Sequence, residues 1–139
     1  MTEQKMLTVG VVIDAPLDKV WTCFTSPEFI TQWNFASDDW HAPKAENDLR
    51  INGRFSFRME AKDGSFGFDF GGVYTDLKMH ELIAYTLDDY RKVVVKMTHD
   101  GQYTQFTQMF EAEQENSIEL QQGGWQAILN NFKKFVDNN

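Results

Sequence analysis

Cysteine is all but missing from this sequence: Cys23 stands alone, so no internal disulfide can form and a disulfide-stapled secreted scaffold is excluded. Long apolar runs are missing too. None approaches the ~20 residues that a membrane-spanning helix requires, and the opening Met1-Thr2-Glu3-Gln4-Lys5 has no apolar core of a signal peptide. Basic residues are scarce, 13 Lys and Arg against 21 Asp and Glu, for a formal charge of −8. That balance argues against non-specific nucleic-acid binding and against adsorption to anionic membranes. Together these absences predict a cytoplasmic protein.

Recognisable catalytic and metal motifs are also lacking. There is no G-x-S-x-G, no P-loop and no G-x-G-x-x-G between a strand and a helix. His41, His80 and His99 fall in a loop, a turn and a strand end, without metal-ligand spacing. Cys23 sits beside Phe24 on a short helix and reads as a small buried side chain rather than a nucleophile. Asp38 and Asp39 form an adjacent carboxylate pair, but neighbours in a loop point apart and are better read as solvated. No catalytic residue, metal or cofactor is assigned.

What the chain does have is aromatic bulk, twelve Phe and four Trp in 139 residues, enough for one core and one domain spanning 1–139. Residues 116–136 form the organising stretch. Trp125, Ile128, Leu129, Phe132 and Val136 repeat at helical spacing on one face. Asn116 with Glu119 resembles a capping box, and Lys133 and Lys134 suit the negative end of the helix dipole. No other stretch reads as a long helix, so a sheet must cover that face.

Ahead of it, residues 7–14 read as a strand ending at Pro16. Two short helices follow, broken at Ser26-Pro27, with Ser26 as N-cap and Pro27 at the first helical position. Residues 34–47 read as a loop leading to a short edge strand over 46–51. Residues 54–61 alternate, with Phe55, Phe57 and Met59 on one face; after Asp63-Gly64, Phe66, Phe68 and Phe70 repeat the period of two. A two-residue turn there sets Phe57 against Phe70, Met59 against Phe68 and Arg58 against Asp69. Gly71-Gly72 predicts a bulge or sharp bend within a strand that continues through Val73 and Tyr74. A strand over 82–87 follows, then a hairpin of 91–99 with 102–111 about Asp100-Gly101, which sets Val95 opposite Phe106, Met97 opposite Thr104 and Val93 opposite Gln108. The fold class is α+β, an antiparallel sheet of about six to seven strands with its helices on one face.

This order resembles the START-like (SRPBCC, helix-grip) superfamily. Within it, the chain resembles the family related to the C-terminal domain of the activator of the heat-shock protein 90 ATPase. The residues that carry the likeness are Ile13-Asp14-Ala15-Pro16 with Val20-Trp21, Thr25-Ser26-Pro27-Glu28 with Trp33, the run 48–55, Asp63-Gly64, Gly72-Val73-Tyr74 and Gly123-Gly124-Trp125. The resemblance implies a curved sheet wrapped around the C-terminal helix, with a cavity between them suited to an apolar or amphipathic small molecule. Gly123-Gly124 would let the helix bend or lie close to its neighbours. The chaperone activator carries a further N-terminal domain, and this chain, opening directly on its first strand, is expected to lack it.

The candidate walls of such a cavity are Phe57, Met59, Phe68, Phe70, Val95, Met97, Phe106, Trp125, Ile128, Leu129 and Phe132, with Phe55 and Phe66 in the same ladder. Thr104 and Gln108 point inward as polar groups, Tyr74 and Tyr85 could add hydroxyls, and Trp33, Trp40 and His41 could form the mouth. A solid core built from the same side chains is the competing reading. Three functions follow: a small-molecule-binding protein, a chaperone-interacting module implied by the resemblance, and a cyclase- or hydrolase-like enzyme using the same cavity.

Overall fold

The computed structural model describes residues 5–139. Seven antiparallel strands form one curled sheet in the order β1-β7-β6-β5-β4-β3-β2. β1 (Met6–Ile13) is followed by α1 (Leu17–Thr25) and α2 (Pro27–Trp33), then by β2 (Trp40–Asn47), β3 (Arg54–Ala61), β4 (Gly67–Lys78), β5 (Leu82–Leu87), β6 (Lys92–Asp100) and β7 (Tyr103–Glu111). The long helix α3 (Ile118–Asp137) closes the chain. This is the α+β helix-grip arrangement that the resemblance implies, with the long helix against the concave face of the sheet.

Alternation along the strands decides which side chains the helix meets. Val93, Val95 and Met97 of β6 and Thr104, Phe106, Gln108 and Phe110 of β7 are all buried, as are Leu129, Phe132 and Val136 of α3. At one end Phe24, Trp33, Phe106 and Phe132 form a compact aromatic cluster, with Trp33 and Phe132 centroids 4.7 Å apart. Trp33 is held there by its indole N–H, which donates to the Cys23 carbonyl at 2.9 Å. The helix lies along the β1 side of the sheet: Gln126 both donates to the Gly10 carbonyl (3.0 Å) and accepts from its N–H (3.3 Å), and Gln122 donates to the Thr8 carbonyl. These carboxamides occupy hydrogen-bonding groups of an edge strand that would otherwise stay open.

Several local expectations change. α3 starts one residue later than the capping pattern of Asn116 and Glu119 predicts: Ser117 is the N-cap, and its Oγ accepts the Leu120 N–H at 3.1 Å. Asn116 instead donates through both its backbone and side-chain nitrogens to Glu113, at 2.7 Å each. β2 begins at Trp40, inside the stretch read as a loop, and ends at Asn47; its register shifts between His41 and Lys44, around Pro43, which has no N–H to give a ladder. Gly71 and Gly72, where a bulge or sharp bend is expected, pair regularly with Ser56 and Phe55, and the register shift of β4 lies between Tyr74 and Asp76. Gly72 serves close packing: a Cβ there would sit 2.4 Å from the Thr86 carbonyl oxygen and 3.1 Å from the Phe55 ring.

The β3–β4 register is as expected, Phe57 opposite Phe70, Met59 opposite Phe68 and Arg58 opposite Asp69. The turn differs: the Gly64 N–H bonds the Ala61 carbonyl at 3.0 Å with Gly64 at φ 79°. In the last hairpin the partners move by two. Val95 faces Gln108, Met97 faces Phe106 and Val93 faces Phe110. The loop is Gly101-Gln102 rather than Asp100-Gly101, with Gly101 at φ 63° supplying the positive first position of a II′-type turn. A shift of two leaves every side chain on its expected face.

Candidate functional site

Sheet and helix do not close completely. Beyond the Phe24–Trp33 cluster, the sheet around β3 and β4 curls away from α3 and leaves a cavity of about 450 Å³. Its walls are mostly aromatic and aliphatic: Phe57, Met59, Phe68 and Phe70 from β3 and β4, and Trp125, Ile128 and Leu129 from α3. Trp125 is fixed by stacking on Phe110, centroids 3.9 Å apart and 7° from parallel, with Phe70 edge-on at 6.0 Å. An adjoining space opens to the surface past Trp40, Gly124 and Leu120.

The aromatic ladder is graded along the cavity. Phe55 is buried, Phe57 and Phe70 are half-buried, and Phe68 and Phe66 are exposed at 40% and 62%. The two exposed rings meet Trp40 at 6.0 and 6.1 Å, so the mouth carries an apolar rim. Phe66 and Phe68, expected as cavity walls, line its outer part. They stay exposed there because α3 lies along the β1 side of the sheet.

Polar groups reach the cavity at few points. Gln108, Tyr85, Arg91 and Asn34 lie along it, and Glu113 and Asn116 lie where it opens. Tyr85 is buried, and desolvation pushes its phenol well above the ordinary range; the neighbouring Tyr74 adds to the rise, while the nearby Gln108 carboxamide and the positive charge of Arg91 pull it back. Tyr85 is therefore a neutral hydroxyl at physiological pH.

The residues expected to line a site divide in two. Phe57, Met59, Phe68, Phe70, Tyr85, Gln108, Trp125, Ile128 and Leu129 border the cavity. Tyr74, Val95, Met97, Thr104, Phe106 and Phe132 are buried in the core beside it. The two polar members of that second group already have partners: the Thr104 hydroxyl donates to the Ala15 carbonyl at 2.7 Å, and the Tyr74 hydroxyl donates to Asn47 Oδ1 at 2.6 Å. Of the mouth residues, Trp33 forms the closed end, Trp40 the rim, and His41 stands apart with its Nε2 3.6 Å from Glu60.

Arg91, Asn34, Glu113 and Asn116 were missed. Arg91 could have been found, since it shares the parity of Val93 and Val95. The other three lie in loops, where no period assigns a direction. Cys23 is buried, and desolvation raises its thiol above the ordinary range, which keeps it protonated. Among the described residues, no three His, Cys, Asp or Glu side chains are grouped to hold a metal, and no helix is long and apolar enough to cross a membrane.

Comparison with known proteins gives a consistent picture. Residues 14–137 match the family model described as Activator of Hsp90 ATPase homolog 1-like protein. The solution structure of an AHSA1-like protein from Aeromonas hydrophila is 36% identical over 95% of this chain and 93% of that one, with a TM-score of 0.87. The solution structure of Chr148 from Cytophaga hutchinsonii is 49% identical over 95% and 92%, with a TM-score of 0.82. Protein CV1439 from Chromobacterium violaceum shares the fold, with a TM-score of 0.85 at 21% identity over 96% and 98%. No curated protein matches the chain significantly.

Proposed function

The chain belongs to the Activator of Hsp90 ATPase homolog 1-like family, and from that premise we propose that it is a cytoplasmic, single-domain binding protein that holds one apolar or amphipathic small molecule between sheet and helix. The observation that carries this reading is the cavity: about 450 Å³, apolar-walled, with a few polar groups along it. That volume and lining fall in the range of small-molecule sites. A core meant only to be solid would not leave Phe57, Phe70 and Trp125 partly uncovered, since interiors otherwise pack to crystal-like density.

The test is chemical-shift mapping with a panel of apolar and amphipathic ligands, on the wild type and on Ile128→Trp. The larger side chain would fill the cavity from the helix side. Shifts confined to Phe57, Phe68, Phe70 and Trp125 in the wild type and lost in the folded variant support the proposal. A panel that perturbs none of these residues defeats it.

A second reading has one specific support, the family description, which points to chaperone engagement. It expects stimulation of the cognate Hsp90 ATPase by this chain. No stimulation at large molar excess removes it, and leaves the cavity reading untouched.

A further inference from the structure

Resting on the reading of this cavity as a binding site, we infer that its ligand is a monoanionic amphiphile, a carboxylate on an apolar body, with Arg91 as the counter-ion. Arg91 immediately precedes β6, and strand alternation puts it on the concave side with Val93, Val95 and Met97. The turn before it is closed by the Leu87 N–H, which donates to the Arg91 carbonyl at 2.8 Å, with Tyr90 at φ 73°. The backbone therefore aims this side chain into the fold. It is only 16% exposed, an unusual place for a guanidinium unless something uses it.

The orientation of Arg91 is set from outside. Its Nε donates to Asp89 Oδ2 at 2.8 Å, and Asp89 itself is 54% exposed. Asp89 thus takes the Nε edge. Among the described residues, the Nη edge has no ion-pair partner. A planar fork anchored on one edge and offered on the other matches the two oxygens of a carboxylate. Tyr85 supplies a neutral hydroxyl beside it, and Gln108 a carboxamide.

The same surroundings limit the ligand's charge to one. Glu113 lies at the wall shared with Arg91, its Oε1 committed to Asn116. With Asp89 already on Arg91 and Glu113 nearby, a dianion such as a phosphate monoester would face two carboxylates and one guanidinium. The net charge of −8 adds no long-range attraction for anions. Affinity must come from burying the apolar body, and selection of the head group from Arg91.

The experiment compares decanoate with 1-decanol, which share an apolar chain, by calorimetric titration at pH 7 on wild type and Arg91→Met. Met keeps the unbranched apolar stem and removes the fork. The wild type is expected to bind decanoate about ten- to a hundredfold more tightly than decanol, the range for charge-assisted hydrogen bonds. Arg91→Met is expected to lose that preference while retaining decanol. Equal affinity of the wild type for both ligands overturns the inference and leaves the cavity reading standing; binding of neither by folded wild type overturns both. Loss of both ligands in a folded Arg91→Met protein assigns Arg91 to shaping the cavity and also overturns the inference. Should Arg91→Met not fold, the wild-type comparison still decides, and Arg91→Lys, which keeps the charge without the fork, is expected to retain part of the preference.

Discussion

Tyr74 and Tyr85 pair across β4 and β5 with ring centroids 6.2 Å apart, and both phenols are shifted upward, chiefly by desolvation. In the unfolded chain a phenol titrates near pH 10. The folded state thus holds these protons more tightly than the unfolded state. The stability this represents is complete below about pH 10 and is lost as pH rises above it. Absorbance at 295 nm during alkaline titration should show these two phenols ionising only together with the loss of circular dichroism. Full ionisation of all four tyrosines in a chain that keeps its folded spectrum would refute this. The same residues show how far single positions can be read from sequence. A period of two assigned Gln108 and Thr104 to the inside, yet Thr104 turned out to serve the backbone of Ala15. Parity gives a direction but not a partner. Arg91 has the same parity, but a charge at a strand end is ordinarily solvated, so parity alone does not mark it as a cavity residue.

Among the elements, α3 carries the plainest stability predictions. Ser117→Ala removes the side chain that accepts the Leu120 N–H and should cost about 1 kcal/mol. Gly123→Ala and Gly124→Ala should each raise stability by about 1 kcal/mol, since a Cβ at either position meets nothing within 4 Å. Thermal melts of the three variants check this, with shifts of roughly 3–5 °C in opposite directions. The glycines therefore do not let the helix approach a neighbour, as their place in the motif suggested. The space beside Gly124 is the outer part of the cavity. Helix, hairpins and faces could be read in advance because each repeats a period over many residues. The helix start and the hairpin loops could not, since one hydrogen bond decides between neighbours: Ser117 over Asn116 as cap, and Gly101-Gln102 over Asp100-Gly101 as turn.

At the scale of the whole molecule, the position of α3 divides the sheet. Gln122 and Gln126 fasten the helix to β1, and Asn131 fastens it to α2 through the Trp33 carbonyl at 2.8 Å. The opposite flank, the far ends of β3 and β4 with exposed Phe66 and Phe68, has no helix over it. No local pattern in the chain encodes that offset, which is why the sequence alone leaves a solid core and a cavity as alternatives. The offset also predicts a gradient of opening free energies. Amides of β6 and β7 around Val95 and Phe106 lie between paired strands under buried side chains and should exchange only by global unfolding. Amides from Glu60 to Phe68 should exchange through openings several kcal/mol less costly, because most of their side chains are exposed and the strands end there. A ligand seated against Met59, Phe68 and Trp125 would slow exchange at that flank first, with β6 and β7 following only as global stability rises. Native-state hydrogen exchange with and without decanoate measures both effects. Uniform protection across the two flanks of the free protein would mean that the sheet opens as one unit and that the cavity wall is as rigid as the core.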